Sequence, residues 1–310
     1  MNGPSLRYAT CAVAASTEAG RRDASHRMAY WEWNNTGDAS HPHVIVCVHG
    51  LTRQGRDFDE LAHSLSYNAR VICPDVVGRG YSDWLDEPMG YQVPLYVADM
   101  LAMLQHIHAA TPIGVLDWVG TSMGGLIGIG LAGEPSIRPL LPAPIRRLVL
   151  NDVGPVIETQ ALARIGQYVG KHMLYASEQE AADGMWAIST GFGPHTPEQW
   201  MALSRPMLRP EANGAVRLHY DPAIAIPLQA ATPEMAAAGE QLLWKLYSQI
   251  EAKTLVLRGA DSDLLSAATA QAMTEVGPQA RVVEFAGVGH APTLVSFDQV
   301  SAVLAFLCGT

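Results

Sequence analysis

The chain has 310 residues, 48% of them hydrophobic and 16% charged, enough apolar material for a large core in one α/β unit that carries an insertion. A formal net charge of −10 argues against nucleic acid and anionic membrane surfaces as partners. No apolar run approaches the roughly 18 residues of a membrane span, and the opening MNGPSLRYATCAVAAS lacks the apolar segment of a signal peptide. Cys11, Cys47, Cys73 and Cys308 form no C-x-x-C pair and no metal spacing. Cys47 and Cys73 sit in apolar runs (VIVCVHG and RVICPDV) and read as small buried hydrophobes. A reducing, cytoplasmic compartment is therefore expected, with neither metal nor organic cofactor.

In chain order, Tyr8–Ala15 and Met28–Trp33 alternate apolar and polar residues, which predicts an antiparallel hairpin at a sheet edge. His43–Val48 is almost wholly apolar, as a strand covered on both faces must be. A helix over Asp57–Leu65 follows, with Phe58, Leu61, Ala62 and Leu65 on one face. Then come a strand at Arg70–Cys73 and a helix over Pro94–Ala109, striped by Leu95, Val97, Met100, Leu101, Leu104 and Ile107. Strands at Gly114–Val119, Ile145–Asn151, Lys253–Arg258 and Arg281–Phe285, with helices at Ser266–Val276 and Phe297–Leu307, complete the series. Such alternation predicts a doubly wound, mostly parallel eight-stranded sheet.

One stretch, about Pro155 to Gln241, offers no buried strand. Its amphipathic segments (Gln160–Tyr168, Glu178–Thr190, Pro197–Leu208) are separated by Gly, Pro and His. A structureless connection of that length does not suit a compact domain, so 155–241 reads as a mainly helical cap inserted in a core formed by 1–154 and 242–310. Met173, Tyr175, Trp186, Trp200 and Met201 are candidates to line a cavity under it.

The fragment IGVLDWVGTSMGGLIGIGLAG reads as strand, tight turn and helix, with Ser122 on the turn in G-x-S-x-G. A serine exposed there needs a strained backbone, and Gly120 and Gly124 remove the side chains that would clash. Acyl transfer also needs two donors for the developing oxyanion. The N–H of Met123, directly after the serine, is one candidate. Leu51, in the His49-Gly50-Leu51 loop after a strand, offers the other. His49 itself reads as a structural pin. His290, in VVEFAGVGHAPTL, follows the last strand on a Gly-rich loop at the sheet end where Ser122 emerges, and is the candidate base. Asp261 and Asp263 in KTLVLRGADSDLLS and Asp152 in VLNDVGP could each orient it, and all three keep the order Ser, Asp, His.

Together HGL, PDVVGRGYSDW, GTSMGG, the turn after TLVLRG and VGHAPTL resemble the α/β-hydrolase superfamily over nearly the whole chain. The resemblance implies a triad of Ser122, Asp263 and His290, because Ser262-Asp263 follows Arg258-Gly259 as in that family, and leaves Asp261 and Asp152 as alternative acids. It implies Leu51 and Met123 as oxyanion donors and GRGYSD, Gly78 to Asp83, as a turn bordering the pocket. A serine at 122 rules out the alkyl-enzyme chemistry of haloalkane dehalogenases and epoxide hydrolases, which needs a carboxylate nucleophile. The expected activity is hydrolysis of a small to medium carboxylic ester or lactone through an acyl-enzyme. Carbon–carbon bond hydrolysis, amide hydrolysis and cofactor-free perhydrolysis are alternatives on the same fold, and a non-catalytic ligand receptor is a remote one.

Overall fold

The computed structural model describes residues 3–12 and 25–309. Strands β1 (Ser5–Ala12) and β2 (Ser25–Trp33) form the expected antiparallel hairpin, Ser5 facing Glu32 and Ala12 facing Ser25. Residues 13–15, assigned to the first strand from sequence, lie outside the described ones. β3 (His43–Val48), α1 (Asp59–Leu65), β4 (Arg70–Pro74), α2 (Val93–Ala110), β5 (Val115–Thr121), α3 (Met123–Gly133) and β6 (Ile145–Asn151) follow. Next come α4 (Thr159–Gly166), β7 (Leu174–Tyr175), α5 (Glu178–Ser189), α6 (Pro197–Ser204), β8 (Leu208–Pro210), β9 (Val216–Leu218), α7 (Ala225–Gln229) and α8 (Pro233–Ser248). The chain returns to the main sheet with β10 (Lys253–Gly259), α9 (Ala267–Met273), β11 (Arg281–Phe285) and α10 (Phe297–Cys308).

Eight strands form one sheet in the order β1-β2-β4-β3-β5-β6-β10-β11, antiparallel at β1–β2 and β2–β4 and parallel elsewhere. The apolar run of β3 is explained by its two faces. Val44, Val46 and Val48 join a core with Met100, Leu104, Trp118 and Ile127 from α2, β5 and α3. Ile45 and Cys47 face Leu61, Leu65 and Val303 from α1 and α10. The connection leaving β3 runs to β4 on one side, while β5 lies on the other and leads to β6. The crevice of an open α/β sheet therefore falls between the carboxyl ends of β3 and β5.

The segment between β6 and β10 departs from a purely helical reading. It contains a second antiparallel sheet, β7-β9-β8, whose strands of two and three residues are too short to show a period in sequence. The boundary drawn at 241 also falls inside α8, which packs on the core helix α3. Contact there is backbone to backbone: a Cβ on Gly133 would lie 2.2 Å from the Leu246 carbonyl oxygen. Neither helix backbone can yield without moving its layer. Gly133→Ala is therefore expected to destabilise the protein by about 1–3 kcal/mol, read from urea unfolding.

Candidate active site

β5 ends in Val119-Gly120-Thr121, and Ser122 turns the chain into α3 with φ 52 and ψ −116. That backbone is strained for any residue with a Cβ. Close approach explains both flanking glycines: a Cβ on Gly120 would stand 2.3 Å from the Gly124 carbonyl, and one on Gly124 would stand 2.0 Å from the Val48 oxygen. Trp118 Nε1 donates to the Gly124 oxygen at 3.0 Å, and Ser122 N–H donates to the Asn151 oxygen at 3.0 Å.

The loop after β11 brings His290 Nε2 to 3.1 Å from Ser122 Oγ, while His290 Nδ1 lies 2.7 Å from Asp152 Oδ2. Asp152 is the first residue beyond β6 and is fully buried. Its carboxylate also accepts the Gly259 N–H at 2.9 Å and the Ser262 hydroxyl at 2.6 Å. With Nδ1–H donated to the carboxylate, the lone pair of Nε2 faces the serine hydroxyl. That arrangement can take a proton from Ser122.

The preference for Asp263 is thus corrected in favour of Asp152. Asp263 is exposed and takes the Arg164 guanidinium at 2.7 and 2.8 Å, a bidentate bond that holds its carboxyl below the usual carboxylate range. Asp261 is exposed as well and is not the partner of His290. The physical reason is strand adjacency. β6 and β10 are neighbours whose carboxyl ends lie side by side, so an aspartate after either can approach the histidine loop. Asp152 has just left its strand, its N–H still bonded to Leu257 oxygen at 2.8 Å. Asp263 lies four residues past β10, where the turn has carried it outward. The Ser262-Asp263 pair contributes through its serine.

Sequence reasoning passed over Asn151. Its buried amide donates to Thr121 Oγ1 at 3.0 Å and to the Pro292 oxygen at 2.8 Å, tying the nucleophile turn to the histidine loop. The available signal was a lone amide ending the apolar Leu148–Leu150 run of β6.

A family model described as the alpha/beta hydrolase family matches residues 45–303. Over 287 residues the chain is 46% identical to a 3-hydroxybutyrate-oligomer hydrolase of Cupriavidus necator, covering 92% of this chain and 94% of that protein. The chain belongs to the alpha/beta hydrolase family. A pimeloyl-(acyl-carrier protein) methyl ester esterase of Xanthomonas oryzae is 26% identical over 272 residues, covering 85% and 94% of the two chains. Among solved structures, an alpha/beta hydrolase from Novosphingobium aromaticivorans aligns over 100% of both chains with a TM-score of 0.80 and 32% identity. With relatives that cleave esters, this hydrolase is an ester hydrolase. None of its described helices is long and apolar enough to cross a membrane.

On the other side of the crevice, Gly50 comes close to the nucleophile: a Cβ on it would lie 3.7 Å from Ser122 Cβ. His49 is fully buried between two loops: Nδ1 lies 2.7 Å from the Gly50 oxygen, and Nε2 accepts the Val76 N–H at 3.0 Å. The ring is therefore neutral, with its proton on Nδ1, and burial pushes its pKa down to about 3. Gly50 C=O and Leu51 N–H belong to one trans peptide, so a carbonyl held by His49 turns that N–H the opposite way. Arg79, also fully buried, donates to the next carbonyl, Leu51 oxygen, at 2.8 Å and to Val77 oxygen at 2.7 Å. The Met123 N–H opens α3 and has no acceptor within the helix.

Ser122, His290, Gly50 and Leu51 line a cavity of about 240 Å³. Ile165, Val169, Met173, Met185, Ile188 and Phe192 from the insertion make most of its apolar wall, with Tyr168, Tyr175 and Tyr220 among them. Of the five candidate lining residues, Met173 and Tyr175 reach this cavity. Trp186, Trp200 and Met201 instead pack together inside the insertion. Arg164 lines the cavity, whereas Arg205 pairs with Glu178 on the surface. Among the described residues, Cys11, His26 and Asp99 are a group close enough to share a metal ion, within 4.8 Å, but none of them lines the cavity. Burial and the Asp99 carboxylate push the Cys11 thiol up to about 12.

The neutral His49 has a consequence for stability. Its folded pKa is depressed, so the unfolded chain binds the extra proton and stability falls as pH drops from about 6.5 towards 3. The slope is at most roughly 1.4 kcal/mol per pH unit. In urea unfolding at pH 7, 5.5 and 4, His49→Gln is expected to start less stable than wild type but to lose less on acidification.

Proposed function

We propose that the protein hydrolyses short linear esters of hydroxy acids, with Ser122 as nucleophile, His290 as general base and acid, and Asp152 as the acid that orients it. The observation that carries this reading is the unbroken hydrogen-bond chain from Asp152 through His290 to Ser122 at the floor of a mainly apolar cavity. Ser122 Oγ attacks the ester carbonyl while its proton passes to His290 Nε2. The N–H groups of Leu51 and Met123 hold the oxyanion, the first aimed by His49 and braced by Arg79. His290 then protonates the departing alkoxide, and water activated by the same ring releases the acyl group. Residues 155–241 serve as the cap over this centre. The oligomer hydrolase relative supports 3-hydroxybutyrate esters as substrates, and a cavity below the roughly 300–1,000 Å³ of drug-sized ligands suits a short chain. Buried, unpaired Cys47 and Cys73 support a reducing compartment, the cytoplasm.

The test compares wild type with Ser122→Ala, Asp152→Asn and Asp263→Asn on the linear dimer of 3-hydroxybutyrate, p-nitrophenyl butyrate, a meta-cleavage dienoate and an aryl amide. Turnover of the first two and fluorophosphonate labelling that disappears in Ser122→Ala are expected. Asp152→Asn should lower kcat by about 10⁴, the loss seen for a triad acid, and Asp263→Asn by less than about tenfold. If Asp263→Asn were the severe variant, the acid assignment would fail while the nucleophile stood.

A further inference from the structure

The geometry points to a carboxylate-binding subsite at the outer part of the serine cavity, formed by Lys171 with Arg164 beside it, that selects esters carrying a free carboxylate on the leaving alcohol. The inference rests on the ester-hydrolase reading above and adds to it the charge of the substrate and the end from which it is cleaved.

Although the chain carries a net charge of −10, the cavity is lined by Arg53, Arg164 and Lys171 and by no aspartate or glutamate. Two of these cations are already neutralised. Asp57 holds Arg53 through two bonds of 2.7 Å, and Asp263 holds Arg164 at 2.7 and 2.8 Å. Lys171 has no carboxylate and no side-chain hydrogen-bond partner among the described residues. Lys171 also lines a second cavity of about 150 Å³, which shares Met173, Leu218 and Tyr220 with the first. The backbone carrying it is fixed. Gly170 has φ +83 and lies against Ala225, where a Cβ would meet the alanine side chain at 2.6 Å.

An apolar cavity ending at one uncompensated cation complements an aliphatic ester ending in an anion. In a linear hydroxy-acid oligomer the free carboxylate belongs to the terminal unit. With that carboxylate at Lys171, the ester carbonyl lies towards Ser122 and the terminal unit is the leaving group. The Ser122 Oγ–acyl bond forms, the acyl–oxygen bond to the terminal unit breaks, and the serine proton reaches the departing oxygen through His290. Water then cleaves the acyl-enzyme, so one ester and one water give one hydroxy acid and one shortened acid. Cleavage proceeds from the carboxylate end. Lys171 is solvent-exposed, so the preference is modest, about two- to fivefold, and screened by salt.

The test measures binding separately from turnover. Full-length Ser122→Ala, which cannot consume the ligand, is titrated calorimetrically with the 3-hydroxybutyrate dimer as free acid and as methyl ester. The double variant carrying Lys171→Gln is titrated in the same way. The free acid is expected to bind about two- to fivefold more tightly at low salt, with the ratio approaching one in 0.5 M NaCl and in the Lys171→Gln background, while Lys171→Arg keeps most of it. Equal affinity for acid and methyl ester, or a ratio unchanged by Lys171→Gln, overturns the subsite. Absence of turnover of both ligands by the wild-type enzyme would overturn the ester-hydrolase reading instead, since the binding ratio is read without catalysis.

Discussion

The buried carboxylate of Asp152 is the constraint on which the site depends. An ionised carboxyl taken out of water must be met by donors or it destabilises the fold by several kcal/mol. Here the donors are the Gly259 N–H, the Ser262 hydroxyl and His290 Nδ1, so satisfying one charge locks the ends of β6, β10 and the loop after β11 into one arrangement. The residue before it works on the nucleophile. Asn151 oxygen receives the Ser122 N–H, and its amide reaches both Thr121 and Pro292. Two consecutive residues at one strand end therefore fix the distance between the histidine and the serine.

The opposite wall is anchored independently, from the ends of β3 and β4. Neutral His49 and charged Arg79 are both wholly buried, and neither is paired with a carboxylate among the described residues. The ring bridges Gly50 and Val76, while the guanidinium is satisfied by the Leu51 and Val77 carbonyls and the Tyr96 hydroxyl. Peptide orientation in the Gly50–Leu51 loop is thus set by interior groups together with the loop's own Arg53 N–H, which donates to the Gly50 oxygen at 3.2 Å. The two anchored halves meet where Gly50 faces Ser122, at the switch point between β3 and β5. A Cβ at position 50 would stand in van der Waals contact with Ser122 Cβ, at 3.7 Å.

What could be read from sequence follows from how local the cause is. β3 is legible to the residue because burial on both faces leaves a continuous apolar run, and β6 and β11 because Leu148–Leu150 and Val282–Val283 give shorter apolar runs beside charged residues. Ser122 is legible because a strained turn against Val48 demands glycines at fixed offsets. His290 is legible because it follows the last strand at the correct sheet end. The acid is not local. Which of Asp152 and Asp263 meets the ring depends on how two parallel neighbours end relative to each other, and strand register leaves no trace in either segment alone. The short strands β7 to β9 escape for another reason, since two or three residues carry no period. For the same reason Met173 and Tyr175 could not be told from Trp186 and Trp200 before their packing was known.

The position of the acid also sets the charge of the cavity. The hydrogen-bonded Ser122, His290 and Asp152 follow strand ends of the main sheet, while much of the outer wall comes from the segment between β6 and β10, and the Arg164–Asp263 pair links the two. If Asp263 oriented the histidine, Arg164 would face the cavity without a counterion, beside Lys171. Two uncompensated cations would then line one cavity. Because Asp152 takes that role from the interior, Asp263 is left to neutralise Arg164. Among the described residues that line the cavity, Lys171 is then the cation left without a carboxylate partner. The same hydrogen-bond geometry that supplies the base thereby leaves one charge at the cavity rim rather than two.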